Sequence, residues 1–159
     1  MITVHTPPVF PQINPYRGIF LGGSIEMGEA EDWQSYFISE AKKTRAAISR
    51  MINWDICNPR RDDWDSSWKQ SIENPQFYQQ VQWELTYLER CHYKVFYFAK
   101  NTLSPITLLE LGTFHKSENV FMCASPSYLR LGNLQIYANR YNLHLYSTLD
   151  EIIEKILKN

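Results

Sequence analysis

Gly18-Ile19-Phe20-Leu21-Gly22-Gly23-Ser24 is the stretch on which the fold of this 159-residue chain turns: an apolar run of strand length breaking into two glycines and a serine. Such a run, bounded by turn residues, reads as a buried strand handing over to a loop. Immediately downstream, Trp33, Phe37, Ala41, Thr44, Ile48 and Met51 recur every three or four positions. That spacing puts one apolar stripe of a helix against a sheet. Glu29, Glu31 and Asp32 stand at its N-terminal end, where negative charge complements the helix dipole. Strand, glycine loop and helix together form one unit, and the loop 22–28 lies at the carboxyl end of its strand.

The same alternation continues outward. Trp54-Asp55-Ile56-Cys57 reads as a second strand, ended by Asn58-Pro59 because a residue before proline is pushed away from helical angles. Residues 60–71 are polar, charged and Trp-rich, a long loop of the kind that carries function in compact domains. A helix over 75–91 is predicted with Phe77, Val81, Leu85 and Leu88 inward and Gln80, Glu84 and Tyr87 on an adjacent face. The β-branched and aromatic run 94–99 predicts a strand, and Ser104-Pro105 supplies a serine N-cap and N1 proline for a helix over 105–116. A strand at 119–124, a helix at 132–141 and a strand at 144–146 follow. Leu149, Ile152, Ile153, Ile156 and Leu157 then share one side of a C-terminal helix.

Strands alternating with helices predict an α/β three-layer sandwich, Rossmann-like or flavodoxin-like, with a five-stranded parallel sheet covered on both faces. The first fifteen residues, with Pro7, Pro8, Pro11 and Pro15, are expected to form an extended lead-in without a ladder, leaving the domain proper at 16–159. Sheets of this kind bind ligands beyond the carboxyl ends of their strands, which nominates the loops 22–28, 58–68 and 99–107.

Composition narrows the partners. Sixteen Lys plus Arg against 17 Asp plus Glu give a net charge of -1, so no global positive field exists to gather polynucleotides or anionic membranes. A small molecule is the expected partner. Cys57, Cys91 and Cys123 lack CxxC spacing and sit among apolar residues, as buried thiols in a reducing compartment do. No basic-then-apolar leader opens the chain, and no apolar run approaches the ~18 residues of a membrane span. A cytoplasmic protein is expected. His5, His92, His115 and His144 show no metal spacing, and GxGxxG, Walker and GxSxG patterns are absent, so neither a metal nor a cofactor is expected. Aromatics at 14% serve core packing, base stacking or an oligomer interface, and composition does not choose among these.

Each candidate site residue has a plain structural alternative. Gly22, Gly23, Ser24 and Ile25 allow backbone N–H groups to approach a sugar or phosphate, and equally a simple tight turn. Arg60 and Arg61 can fork onto a phosphate or carboxylate while Trp64 stacks on a base; the opposing picture has them neutralised by Asp62 and Asp63. The position of that loop at the ligand edge favours the functional reading. Glu84, one turn from Gln80, would alone be a solvated helix carboxylate. Glu110 is different: flanked by Leu108, Leu109 and Leu111, it must be paired, hydrogen-bonded or used, because burying a lone charge is costly. Ser104 and Thr107 nearby can serve as helix caps.

Phe20-Leu21-Gly22-Gly23-Ser24-Ile25, Asn58-Pro59-Arg60-Arg61, Trp83-Glu84-Leu85 and Leu109-Glu110-Leu111-Gly112 occur in an order that resembles the nucleoside 2-deoxyribosyltransferases. The resemblance runs from Tyr16 to the C-terminus, and Arg130-Leu131-Gly132-Asn133 looks like a segment of a divergent branch. It implies Glu110 as the nucleophile and Glu84 as the acid of the second helix, where better-known members carry Asp. The family's loop acid falls near Ser104, and the Gly of its Asp-x-Gly-Thr pattern is Ile106 here, with Thr107 retained. That departure bears on recognition of the sugar hydroxyls. The implied chemistry is double displacement at the anomeric carbon of a nucleoside or nucleotide, with Gly22, Gly23, Ser24, Ile25, Arg60, Arg61, Asp62, Trp64, Gln80, Trp83, Ser104, Thr107 and Asn133 around the substrate. It also implies a homo-oligomer, with Arg130 or Asn133 reaching a neighbour's pocket. Two further classes stay open: a non-catalytic sensor of a nucleotide or ADP-ribose-like ligand, favoured by Ser104 and Ile106, and a Rossmann-like scaffold in which Glu110 is structural.

Overall fold

A computed structural model describes residues 1–25, 30–47, 52–61 and 63–158. The expected Gly28, Glu29, Ile48, Met51 and Asp62 lie outside the described residues. In chain order the elements are β1 (Ile2–His5), a 3₁₀ turn (Pro15–Arg17), β2 (Gly18–Gly23), α1 (Trp33–Ala47), β3 (Trp54–Cys57), α2 (Pro75–Arg90), β4 (Tyr93–Phe98), α3 (Pro105–Phe114), β5 (Val120–Ala124), α4 (Leu131–Tyr141), β6 (Leu145–Tyr146) and α5 (Leu149–Leu157). The strands pair in parallel in the order β1-β3-β2-β4-β5-β6. Among the described residues no helix is long and apolar enough to cross a membrane.

Strand side chains alternate between two cores, as a period of two requires. Ile19, Leu21, Val95, Phe121 and Cys123 face α1 and α5, with Phe37, Ile152, Ile153 and Ile156 closing that layer. Phe20, Phe96, Phe98, Met122 and Ala124 face the opposite layer, built from Trp83, Tyr87 and Leu88 of α2, Leu111 of α3, and Leu134 and Ala138 of α4. The three layers are those the sequence predicts. After β2 the chain steps to β3 on one side and then to β4 on the other, so the order reverses between β2 and β4. The carboxyl ends of β2 and β4 meet at that switch point, the place where sheets of this kind bind ligands.

The sheet has six strands among the described residues, not five. Residues 2–5 precede every proline of the lead-in, and Ile2 to His5 pair in register with Trp54 to Cys57 as an edge strand. Proline bars only its own position from a ladder. The proline-rich segment after β1 does run extended, as a strap over α2. Trp83 Nε1 donates to Val9 O at 2.7 Å and Tyr87 Oη to Pro11 O at 2.8 Å, while Phe10 stacks on Tyr87 with ring centres 6.3 Å apart.

These bonds also correct the inner face expected for α2. Leu85 is exposed, and the buried stripe is Gln80, Trp83, Tyr87 and Leu88. Counting aliphatic residues misplaced the stripe because Trp and Tyr bury large apolar areas while their polar tips find partners. Asn74 caps α2 through bonds to the Gln76 and Phe77 amides, and Pro75 occupies its first turn. Asp32 receives the Ser35 amide at the start of α1 at 3.1 Å. Trp83→Phe removes the N–H, leaving the Val9 carbonyl without its donor, and trims a packed ring. A loss of about 1–3 kcal/mol in urea unfolding, with faster proteolysis across residues 6–14, is expected.

Candidate active site

The switch point between β2 and β4 is built from residues that must come close. A Cβ on Gly23 would lie 2.5 Å from the Tyr97 carbonyl oxygen and 2.6 Å from the Trp33 ring, and one on Gly22 would meet the Phe96 ring at 2.8 Å. Packing of β2 against β4 and α1 therefore demands both glycines. Ser24 is sealed in just beyond them, at 1% exposure. Its amide donates to Tyr97 O at 3.0 Å, its carbonyl accepts Trp33 Nε1 at 3.1 Å, and its hydroxyl accepts the Ala99 amide at 2.9 Å.

The Ser24 hydroxyl also meets two others, Thr102 Oγ1 at 3.0 Å and Ser104 Oγ at 2.5 Å, and those two are 2.9 Å apart. This buried triad ties the end of β2 to the loop before α3. Ser104 occupies the N-cap position, as expected, but its side chain makes no capping bond; it sits at φ 50°, ψ 52° with its hydroxyl turned inward. Preceding Pro105 it avoids right-handed helical angles. The left-handed conformation costs roughly 1–2 kcal/mol, which the hydroxyl triad offsets. Its carbonyl still starts the helix by accepting the Leu108 amide at 3.0 Å. Thr102, absent from the sequence reading, is the third member. Its signal was a hydroxyl residue between the strand end and Ser104, in a loop already nominated as ligand-facing.

Glu110 of α3 and Glu84 of α2 are brought together beside this loop. Both are only partly exposed. Burial pushes the Glu84 carboxyl up to about 7, moderated by a hydrogen bond from Gln80 Nε2 to Glu84 Oε1 at 2.7 Å. Burial, with a smaller contribution from the charge of Glu84, pushes Glu110 up to about 8. Among the described residues neither has an ion-pair partner. A desolvated carboxylate that lacks a cation and faces a like charge takes up a proton, so near neutral pH the two hold about one proton between them. Gln80, itself buried, donates from the same nitrogen to Pro59 O at 2.9 Å. It thereby couples the pair to the loop after β3. Thr107 is buried one helical turn before Glu110.

The remaining expected residues divide by location. Arg60 reaches back to the Ala30 carbonyl at 3.4 and 3.5 Å, with Asp32 3.9 Å away. Arg61 is held by Asp63, and Trp64 packs on Trp68 with ring centres 5.2 Å apart. Trp83, expected around the substrate, is fully buried beneath the strap. Ile25 is partly buried at the switch point. Asn133 and Arg130, with Leu108, Leu111, Gly112, Leu134 and Tyr137, line a groove of about 360 Å³ between α3 and α4, and neither Glu84 nor Glu110 is among its lining residues. Cys57, Cys91 and Cys123 are free and buried.

A parallel α/β sheet with two desolvated carboxylates on the helices before and after β4, neither of them in an ion pair among the described residues, defines a Rossmann-like protein with a two-carboxylate site. The chain belongs to the nucleoside 2-deoxyribosyltransferase-like family, whose model matches residues 16–128. That match contains Glu84, Glu110 and the loop after β3, and ends before Arg130. A comparison with curated proteins returns no significant match.

The acid pair has a consequence for stability. Each carboxyl ionises near 4.3 in the unfolded chain and well above that when folded, so the folded state gains stability below the unfolded value and loses it as pH rises through about 7 to 8. Glu110→Gln should match the parent in thermal unfolding at pH 5 and exceed it at pH 9, on the order of 2 kcal/mol after allowance for partial exposure.

Proposed function

We propose that the chain is an enzyme acting on the N-glycosidic bond of nucleosides or nucleotides, with Glu110 as nucleophile and Glu84 as general acid and base. The observation that carries this reading is the pair itself: two desolvated carboxylates, no cation, and one proton to share. Such an arrangement stores a nucleophile and an acid side by side at neutral pH.

In the reactive protonation state Glu110 is ionised and Glu84 holds the proton, the minor of the two one-proton forms because Glu110 is the more basic carboxylate. The Glu110 carboxylate attacks the anomeric carbon as the C1′–N bond breaks, and that electron pair leaves with the base, which takes the Glu84 proton. The transition state is oxocarbenium-like and the product a glycosyl ester on Glu110. A second base or a water then attacks C1′ while Glu84 recovers a proton from it, which restores the Glu110 carboxylate. Two inversions give net retention. Gln80 keeps Glu84 oriented for both transfers, and Thr107 lies within a turn of the nucleophile for contact with the sugar.

A second reading, a sensor that binds a nucleotide or ADP-ribose-like ligand without turnover, has one observation in its favour. Where the family places a loop acid, Ser104 turns its hydroxyl into the Ser24 and Thr102 triad, away from any ligand. Incubation with deoxynucleosides and their monophosphates, with and without an acceptor base, separates the two by chromatography of the base. Release or exchange by the parent and a loss of about 10³-fold or more in Glu110→Gln is expected. Ligand-dependent thermal stabilisation without product would establish the sensor. The kcat/KM profile should be bell-shaped with limbs near 7 and 8, since the active form carries one proton on the pair.

The protein is further proposed to act as a homo-oligomer in the cytoplasm. α3 exposes apolar side chains, with Ile106 61% and Leu109 67% exposed, and Leu103, Leu129 and Ile136 are exposed on the loop before α3, just before α4 and on α4 respectively. Exposed apolar side chains gathered in this way are normally covered. Light scattering should give at least twice the mass of one chain, and Ile106→Lys with Leu109→Lys should return it to a single chain.

A further inference from the structure

Among the described residues, two hydrogen-bond donors in the loop after β3 are buried without an acceptor: Nη1 of Arg61 and Nε1 of Trp64. Both side chains flank Trp68. The Arg61 guanidinium lies 4.9 Å from the centre of that ring and the Trp64 ring 5.2 Å from it. The other edge of the guanidinium is occupied by Asp63, Nε to Oδ1 at 2.6 Å and Nη2 to Oδ2 at 2.7 Å. This ion pair is lopsided: the Arg61 side chain is 5% exposed, whereas that of Asp63 is 68% exposed. Arg61 holds the Asp63 carboxyl below its usual range, so Asp63 stays ionised, yet it stands in water and contributes little to holding a sequestered cation.

Leaving a buried donor unmatched costs on the order of 1–3 kcal/mol, and native structures rarely carry two in one loop without a reason. A cationic planar fork and a neutral indole N–H on two side chains that both pack on Trp68 suit a group that offers several acceptor oxygens and negative charge, which is the chemistry of a phosphoryl group. A nucleobase edge also accepts from a guanidinium, but it brings no negative charge to neutralise a cation withdrawn from water. The location fits as well. Pro59, two residues before Arg61, accepts Gln80 Nε2, and the same nitrogen holds Glu84. Two residues span at most about 7 Å of chain, so the fork is anchored within a nucleotide's length of the two carboxylates.

We propose that Arg61 and Trp64 form a phosphate subsite, with the Arg61 fork exchanging Asp63 for the 5′-phosphate of a nucleoside monophosphate. The subsite makes monophosphates, rather than free nucleosides, the substrate class of the carboxylate site; it rests on the glycosidic reading for the position of the sugar, but not for the binding of phosphate.

The test is calorimetric binding of deoxynucleoside 5′-monophosphates and the matching nucleosides to the Glu110→Gln protein, in which turnover is blocked. Monophosphates should bind at least about tenfold more tightly. Trp64→Phe, which keeps the ring and removes Nε1, and Arg61→Met should each lower monophosphate affinity and leave nucleoside affinity unchanged. Asp63→Asn should raise monophosphate affinity several-fold by freeing the fork, a gain that a merely structural Arg61–Asp63 pair does not give. Equal affinities for the two ligand series, or a parallel loss of both in the variants without a gain in Asp63→Asn, would overturn the subsite. Should Arg61→Met not fold, Trp64→Phe and Asp63→Asn decide alone. Base release by the parent at equal kcat/KM from nucleosides and monophosphates would remove the subsite and leave the glycosidic reading standing. Tight monophosphate binding with no base released would do the reverse.

Discussion

Two carboxylates held out of water on neighbouring helices, with no cation between them, set the terms for the rest of this molecule. Like charges in a poorly solvated place do not both ionise. One proton must stay, and everything nearby holds the two groups where that proton is contested. Gln80 fixes Glu84 from one side through a single amide nitrogen that also grips Pro59. On the other side, Glu110 is placed by α3, whose start is set by Ser104 and therefore by the hydroxyl triad with Ser24 and Thr102. The glycines at the end of β2 allow that triad to form, since a side chain on Gly23 would strike the Tyr97 backbone. The site thus stands on rigid elements on both sides, as a group required to act in one geometry should.

The N-terminal segment completes the support. By clamping Trp83 and Tyr87 it anchors the buried stripe of α2, the helix that presents Glu84. The strap replaces a helix as the connection from β1 into β2, and its prolines suit an extended path whose carbonyls remain free to accept bonds from side chains. Membership of the nucleoside 2-deoxyribosyltransferase-like family begins at residue 16, so β1 and most of this strap lie outside the matched region.

Much of this was legible in the residues, and what escaped did so for physical reasons. The alternation of apolar strands with 3.6-period helices identified the layers, because burial against a sheet leaves that trace in any sequence. Glu110 stood out because a charge among leucines needs an explanation. β1 escaped because it is a short edge strand overshadowed by nearby prolines, and the stripe of α2 was displaced because aromatic residues with polar tips do the work expected of aliphatic ones. Ser104 was readable as a helix start but not as a buried hydroxyl, since only tertiary structure reveals that its partners come from the end of β2 and from Thr102. The packing of Trp83 escaped for the same reason: residue type does not show that its ring and N–H are spent on the strap.

The central claim is that the carboxylate at position 110 forms a bond to the sugar. It is tested most directly by intact-protein and peptide mass spectrometry after incubation with a deoxynucleoside, or its 5′-monophosphate, that carries fluorine beside the anomeric carbon, a substitution that slows resolution of the intermediate. The account predicts an adduct of one fluorinated glycosyl unit, mapped to the peptide containing Glu110. An adduct at Glu84, or release of base with no adduct on any carboxylate, would contradict it.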